Sequence, residues 1–428
     1  MRRRRTYWGY RERRQHRRKI FLTILLLFAF IALIFAGIRF LRPAKEAGVT
    51  IPDTSSSVKE STAVETDTAP PPTEAETETE AEPSILEGIW ANDPRTPVEV
   101  KGIYITGPIA GTVNTLNELI DLVDRTELNA MVIDVKNDNG EITYAMAQET
   151  VQAIGAATPY VPDMPGLIAR LKEKNIYLIA RVAAFRDPIL AERMPEYGIH
   201  NPDGSLFYDR DGLAWVNPYC RGVWDYLIAV SKEAAALGFD EIQFDYIRFS
   251  TDPALNEADF GPEAEGVSRT EIITAFVRYA CEELVPLGVF VSADVYGTIL
   301  NNPSDGEIVG QNYQAMAAYL DYICPMVYPS HYNDGVYGLE HPDMAPYELV
   351  FSAMRDSQNF LTAQAATGHT ARSRAWLQAF TATWLTNHIP YTGAEIRHQI
   401  NGVYDAGASE WILWNGSNQY TADGLNGP

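Results

Sequence analysis

From residue 98 onward the sequence predicts an α/β fold, a (β/α)8 barrel, on three observations. Short β-rich runs alternate with helical stretches; eight such runs fit into about 330 residues with room for enlarged loops; and no glycine fingerprint for a dinucleotide follows the first run. An open doubly wound sheet, the other architecture with this alternation, usually has fewer strands.

The 428-residue chain is 46% hydrophobic and 11% aromatic, enough for a sizeable core. Its formal charge is −22, yet residues 1–19 hold ten Lys and Arg against one Glu, so a +9 start leaves −31 for the remainder. So acidic a body repels phosphate backbones, which argues against a nucleic-acid partner. The basic run reads as a cytoplasmic tail because an apolar segment, Ile20 to Leu41, follows at once, with its first charge at Arg39. About 20 apolar residues cross a bilayer core, and positive residues on one flank keep that flank in the cytoplasm. A signal peptide's apolar region is shorter, about 7 to 15 residues, so an uncleaved transmembrane helix over 20–41 is expected, single-pass, with the rest extracellular. Residues 42–97, rich in Thr, Glu, Ser, Pro and Ala, have too little apolar surface to offset ordering and predict a disordered acidic stalk. The barrel is assigned to 98–428. Cys220, Cys281 and Cys324 are an odd set without paired spacing, which suggests neither a disulfide framework nor a zinc site.

Strands are predicted at Val100 to Thr106, Ala130 to Lys136, Ile176 to Val182, Glu241 to Phe249, Val289 to Val295, Tyr322 to Tyr328, Arg374 to Phe380 and Glu410 to Asn415. Helices are predicted at Thr115 to Arg125, Met164 to Lys174, Pro218 to Leu237, Arg269 to Leu284, Asn312 to Leu320, Pro346 to Gln358 and Gly393 to Ala406. Asn114 reads as an N-cap with Glu118 in the turn that follows, and Asp163 as another, with Pro165 near the helix start. Gly238 and Gly288 stand where glycines end the third and fourth helices. Arg374 to Phe380 reads equally as helix continuing through Trp384.

Strand side chains alternate between faces, so parity tells which ones line the barrel axis near the carboxyl ends, where barrels bind ligands. By that rule Asp134 and Lys136, Gln243 and Asp245, Ser292 and Asp294, Met326 and Tyr328, and Ile412 and Trp414 face inward, with aliphatic layers expected earlier along the strands. Asp245 and Asp294, on neighbouring strands, are the candidate catalytic pair for glycosidic bond cleavage. Such a pair needs one ionised and one protonated carboxyl, and crowding separates their pKa values. Asp134 is a third candidate, with Lys136 expected to hold it ionised. The structural alternative for Asp245 is a loop cap or an ion pair with Arg248. Sugar rings stack on aromatic faces while charges and amides bind hydroxyls, which assigns Trp215, Tyr246, Tyr296, Tyr328, Tyr332 and Trp414, together with Lys136, Arg181, Gln243, Arg248, His331 and Asn415, to a glycan substrate. The loop Asp187 to Asn217, with its Asp203-Gly204 turn and the Arg210-Asp211 pair, is long enough to reach over the rim. No cofactor or metal is expected: the sequence has no His-Glu-x-x-His run, Gly-x-Ser-x-Gly elbow, P-loop or Cys-x-x-Cys, and His331 and His341 are too separated for a preformed site.

Val100 to Thr106, Val132-Ile133-Asp134-Val135-Lys136, Phe239 to Phe249, Cys324 to Tyr332 and Leu413-Trp414-Asn415 resemble a bacterial glycoside hydrolase domain family named for its similarity to alpha-amylase-like barrels. The resemblance runs from about Val98 to Tyr420 and implies a barrel that hydrolyses O-glycosyl bonds. In alpha-amylase-like barrels the nucleophilic Asp ends the fourth strand, which Asp245 matches. The acid/base there is a Glu ending the fifth, where this chain has the shorter Asp294, and an Arg stands two before the nucleophile, where it has Gln243. The chitinase motif Asp-x-x-Asp-x-Asp-x-Glu, laid over Asp240, Gln243 and Asp245, puts Ile247 at the acid position and argues against that chemistry. The expectation is a membrane-anchored, extracytoplasmic glycoside hydrolase acting on a cell-surface or environmental glycan. The alternative is a non-catalytic carbohydrate-binding barrel of the cell envelope, which the substituted acid favours.

Overall fold

The computed structural model describes residues 88, 90, 93–366 and 368–428. Eight parallel strands close in sequence order into a barrel: β1 (Lys101–Ile105), β2 (Ala130–Lys136), β3 (Tyr177–Ala183), β4 (Glu241–Asp245), β5 (Phe290–Tyr296), β6 (Tyr322–Val327), β7 (Arg372–Gln378) and β8 (Glu410–Trp414), with β8 paired to β1. The chain returns between strands through α1 (Val113–Asp124), α2 (Met164–Glu173), α3 (Arg221–Leu237), α4 (Arg269–Leu284), α5 (Tyr313–Ala317), α6 (Pro346–Ala365) and α7 (Gly393–Asp405), with shorter helical turns in the loops. The expected tail, membrane span and most of the stalk lie outside the described residues. Among the described residues no helix is long and apolar enough to cross a membrane.

Alternation along β2 shows how these sequences make a barrel. Met131, Ile133 and Val135 face outward into the core shared with the helices, while Ala130 and Val132 join the cluster inside the barrel and Asp134 follows them at its mouth. The Asp163 carboxylate caps α2 by accepting from the Gly166 amide at 2.9 Å, and Gly238 ends α3 with a left-handed φ of 107°. Asn114, expected to cap α1, lies inside it, because the helix begins at Val113 after Thr112 and has no side-chain cap. β4 stops at Asp245 instead of running to Phe249: Tyr246 adopts a φ of 49°, which breaks the extended backbone. α6 continues past Gln358 to Ala365, and the segment after β7 leaves as a loop, which settles the helix alternative there.

The lower barrel departs from the expected aliphatic layers. Arg374 on β7 is fully buried and binds both oxygens of Glu241 on β4 at 2.8 and 2.9 Å and Oε2 of Glu410 on β8 at 2.9 and 3.0 Å. Ser292 donates to Glu241 at 2.5 Å, Tyr177 at 3.1 Å, and the Arg374 guanidinium lies 3.8 Å from the centre of the Tyr322 ring. A charge sealed in the barrel is tolerable only when paired and hydrogen-bonded, and here one cation serves two anions from opposite walls. Below them Arg95, placed in the stalk by composition, donates to Asp321 at 2.7 and 3.0 Å and to the Val289 carbonyl at 2.7 Å, so the packed domain begins ahead of residue 98.

Arg374→Met leaves Glu241 buried without its cation, while Glu410 keeps Arg372 at 3.2 Å. A loss of about 3 to 5 kcal/mol in denaturant-melt stability is expected at neutral pH. An unchanged denaturant melt would show that the buried cation contributes nothing to the fold.

Candidate active site

At the carboxyl ends of the strands the barrel opens into a cavity of about 560 Å3 whose lining includes Arg181, Asp245, Tyr246, Arg248, Asp294, Tyr296, Tyr328, His331, Tyr332, Trp376 and Trp414. Its floor is organised by Arg181 of β3. The Arg181 Nη1 donates to Asp134 Oδ1 at 2.6 Å, while Nε and Nη2 both donate to Asp245 Oδ2, at 3.0 and 2.5 Å. Tyr104 of β1 donates its hydroxyl to the other oxygen of Asp134 at 2.6 Å. The Arg181 guanidinium lies 5.5 Å from the Tyr104 ring and 5.7 Å from that of Trp414, and those two rings stack at 4.1 Å across the seam between the first and last strands. Burial pushes the Asp134 carboxyl up, and the guanidinium and phenol pull it back only in part.

The register that pairs Gln243 with Ser292 and Phe244 with Ala293 brings the next two residues, Asp245 and Asp294, to adjacent strand ends. Their surroundings differ. Asp245 Oδ2 is held by Arg181, and Oδ1 accepts from the Tyr246 amide at 2.6 Å, a contact made by the left-handed turn at Tyr246. A non-glycine residue in that conformation carries strain of about 1 to 3 kcal/mol, the kind of local cost that collects at working sites. Among the described residues no cation contacts Asp294. The Trp376 indole donates to its Oδ1 at 2.6 Å, and among the described residues nothing donates to Oδ2. Burial, reinforced by the charge of Asp245, holds the Asp294 carboxyl well above the usual carboxylate range despite the indole. The site therefore pairs a carboxyl bound by an arginine with one whose proton affinity is raised by burial and a like neighbour.

Around the pair, the Arg248 guanidinium sits 4.7, 5.0 and 5.1 Å from the ring centres of Tyr296, Tyr246 and Trp215. Tyr332 is admitted close to the end of β5 because residue 297 is glycine: a Cβ there would lie 2.3 Å from the Tyr332 hydroxyl.

Several expected site residues lie elsewhere. Lys136 does not reach Asp134: a bulge between the two shifts the register with β3, and the buried ammonium binds Asp187 at 3.0 Å and the Ala183 carbonyl at 2.6 Å. Asp134 sits behind Arg181 and does not line the cavity. Trp215 is core, with its indole on Asp209 at 2.9 Å and its ring edge against Tyr246. Gln243 lies fully buried below the pair, donating to Cys324 Sγ at 3.3 Å. Asn415 holds the turn after β8 through the Ala379 and Gln419 carbonyls. Asp245 pairs with Arg181 and not with Arg248. The loop 187–217 supports the wall from behind without lining the cavity, and its Arg210 and Asp211 turn to Asp252 and Arg186. Tyr104 and Trp376 were missed, although both share the parity of inward neighbours, Gly102 and Arg374.

A family model described as "Putative glycosyl hydrolase domain" matches residues 102–420. Among solved structures, a hypothetical protein from Ruminiclostridium thermocellum is 38% identical, covering 45% of this chain and 97% of its own, with a TM-score of 0.42. The PgaB (BpsB) glycoside hydrolase domain from Bordetella bronchiseptica, at 12% identity over 74% of this chain and 94% of its own, has a TM-score of 0.55 and shares the fold. No curated protein matches the sequence.

The folded chain holds the Asp294 proton more tightly than the unfolded chain, where a carboxyl titrates near 3.9. The contribution of this group is therefore complete below that pH and is lost as pH rises through the folded value. Asp294→Asn keeps an acceptor for Trp376 and carries no charge. Its unfolding free energy should gain on the parent's as pH rises above about 4, by roughly 1.4 kcal/mol for each pH unit that separates the carboxyl's titration in the folded chain from that in the unfolded chain. Parallel pH profiles for the two proteins would rule out the raised acid.

Proposed function

The chain belongs to this glycosyl hydrolase domain family, and from that premise we propose that its barrel cleaves glycosidic bonds with Asp245 and Asp294 as the working carboxylates. The observation that carries the assignment is their unequal environment: one is bound by a buried guanidinium, the other meets only an indole and is held well above the usual carboxylate range. Protonation of the leaving oxygen is the first requirement of the reaction, and Asp294, with its raised proton affinity and an oxygen to which nothing among the described residues donates, is suited to supply it. Asp245 supplies negative charge to the anomeric carbon, as nucleophile or as stabiliser of the cationic transition state. Arg181 positions Asp245, and Asp134 with Tyr104 positions Arg181. Tyr246, Tyr296, Tyr328 and Trp414 offer faces for the sugar's C–H surfaces, with Arg248 and His331 for hydroxyls.

We propose also that the barrel stands outside the cytoplasm, on a stalk raised from an uncleaved helix at Ile20 to Leu41, and acts on a cell-surface or environmental glycan. The support is the length of the apolar run, its arginine-rich flank and the acidic composition that follows.

Hydrolysis of a panel of activated aryl glycosides and glycans tests the assignment. Asp245→Asn is expected to lower kcat/KM by roughly 10^3-fold or more, with the unfolding profile retained. Asp294→Asn is expected to cost about 10^2- to 10^4-fold on poor leaving groups and much less on activated ones. The parent's rate should fall on the alkaline side as Asp294 loses its proton, and that limb should vanish in Asp294→Asn. Full activity in Asp245→Asn would move the site elsewhere, whereas glycan binding without turnover in the parent would assign a binding barrel.

A further inference from the structure

The loop after β7 carries an aromatic ring that the fold does not use. Trp384 is 63% exposed, although burying an indole is one of the larger stabilising contributions a side chain can make. It does not stand alone. Its ring stacks on Phe380 with centroids 5.8 Å apart and planes 26° apart, and the edge of His331 meets it at 6.4 Å. Tyr328, a wall of the cavity, lies 5.3 Å from His331 and 6.3 Å from Phe380. The four rings form a continuous file from the cavity to the outer rim.

The loop under this file is fixed by buried polar contacts. Asp343, 2% exposed, accepts from the Gln378 side-chain amide at 2.9 Å and from the Ile389 amide at 3.4 Å, and its carbonyl accepts from the Tyr391 hydroxyl at 3.1 Å. The Tyr391 amide donates to Thr381 Oγ1 at 3.0 Å, and Ala382 is fully buried, so the chain is pinned on both sides of Trp384. A ring held outward on a rigid base loses little entropy on binding a ligand. Thr383, Thr386 and Asn387, exposed beside it, make the surround polar, which suits a ligand with apolar faces and hydroxylated edges and disfavours an extended hydrophobic partner.

We propose that Phe380 and Trp384 form a sugar-binding subsite remote from the cleaved bond, so that the substrate is a glycan chain several sugars long. The inference rests on reading the cavity as the cleavage site: the file leads out of it, and a mono- or disaccharide held at the carboxylates leaves Trp384 unused.

Affinity electrophoresis of the full chain through gels containing carboxymethylcellulose, xylan, soluble starch or glycol chitosan tests it, with aryl glycoside turnover of the parent measured in parallel. The parent should be retarded by at least one polymer, and Trp384→Ala should weaken that binding by at least about tenfold. Trp384→Tyr should restore most of it, and thermal unfolding should confirm that all variants fold. Equal retardation of parent and Trp384→Ala, or no retardation of the parent by any polymer, overturns the subsite; parental turnover of aryl glycosides in either case leaves the cleavage assignment standing. Retardation that depends on Trp384 without aryl glycoside turnover supports the subsite and counts against cleavage.

Discussion

Inside the mouth of the barrel the Arg181 guanidinium spans from β2 to β4, binding Asp134 with one nitrogen and Asp245 with two, and the placing of the other polar groups there follows from it. Three carboxyls share this small volume. Burial raises the proton affinity of Asp134 and of Asp294. One guanidinium cannot serve all three, and it lies against two, which leaves Asp294 with burial and a negative neighbour. The asymmetry between Asp245 and Asp294 thus comes from the position of a single cation. Tyr104, by occupying the second oxygen of Asp134, keeps that carboxyl turned towards the arginine.

A second arginine repeats the device lower in the barrel. Arg374 ties β7 to β4 and β8 as Arg181 ties β3 to β2 and β4, so β4 is held from both sides, at Glu241 below and at Asp245 above. An aliphatic core of the same volume would serve stability as well or better. The charged core instead fixes orientation, because each carboxylate has one arrangement that satisfies it. Two such anchors on one strand hold the residue at its end against drift, which preorganised electrostatics requires.

Much of this architecture is legible in the sequence because strand and helix periods are local properties. The eight strands and their order follow from alternation and spacing, and parity brings Asp134, Asp245 and Asp294 inward without knowledge of any contact. What escapes is whatever depends on a neighbour. Lys136 has the parity of Asp134, but the bulge between them is a property of the pairing with β3 and turns the ammonium to Asp187. Arg374 opens the predicted seventh strand without any sign of burial until Glu241 and Glu410, far away in the chain, are seen to face it. Trp376 hides for a related reason, since its segment satisfies a helical pattern as well as a strand and only closure of the barrel decides. Trp215 fails in the opposite sense: an aromatic in a long loop suggests a platform, but its indole meets Asp209 within its own hairpin and is withdrawn from the surface.

The stacking of Tyr104 on Trp414 has a consequence for how the protein comes into being. One ring belongs to the first strand and the other to the last, and the turn beyond β8 finishes the seam, with the Asn418 side chain bonded to the Tyr104 carbonyl and the Thr106 amide, both at 3.0 Å. A ribosome that stops short of residue 410 has already made Asp134, Arg181, Asp245, Asp294 and Trp376, yet Arg374 lacks Glu410 and the first strand lacks its partner. These side chains are therefore all translated before the seam that closes the barrel exists.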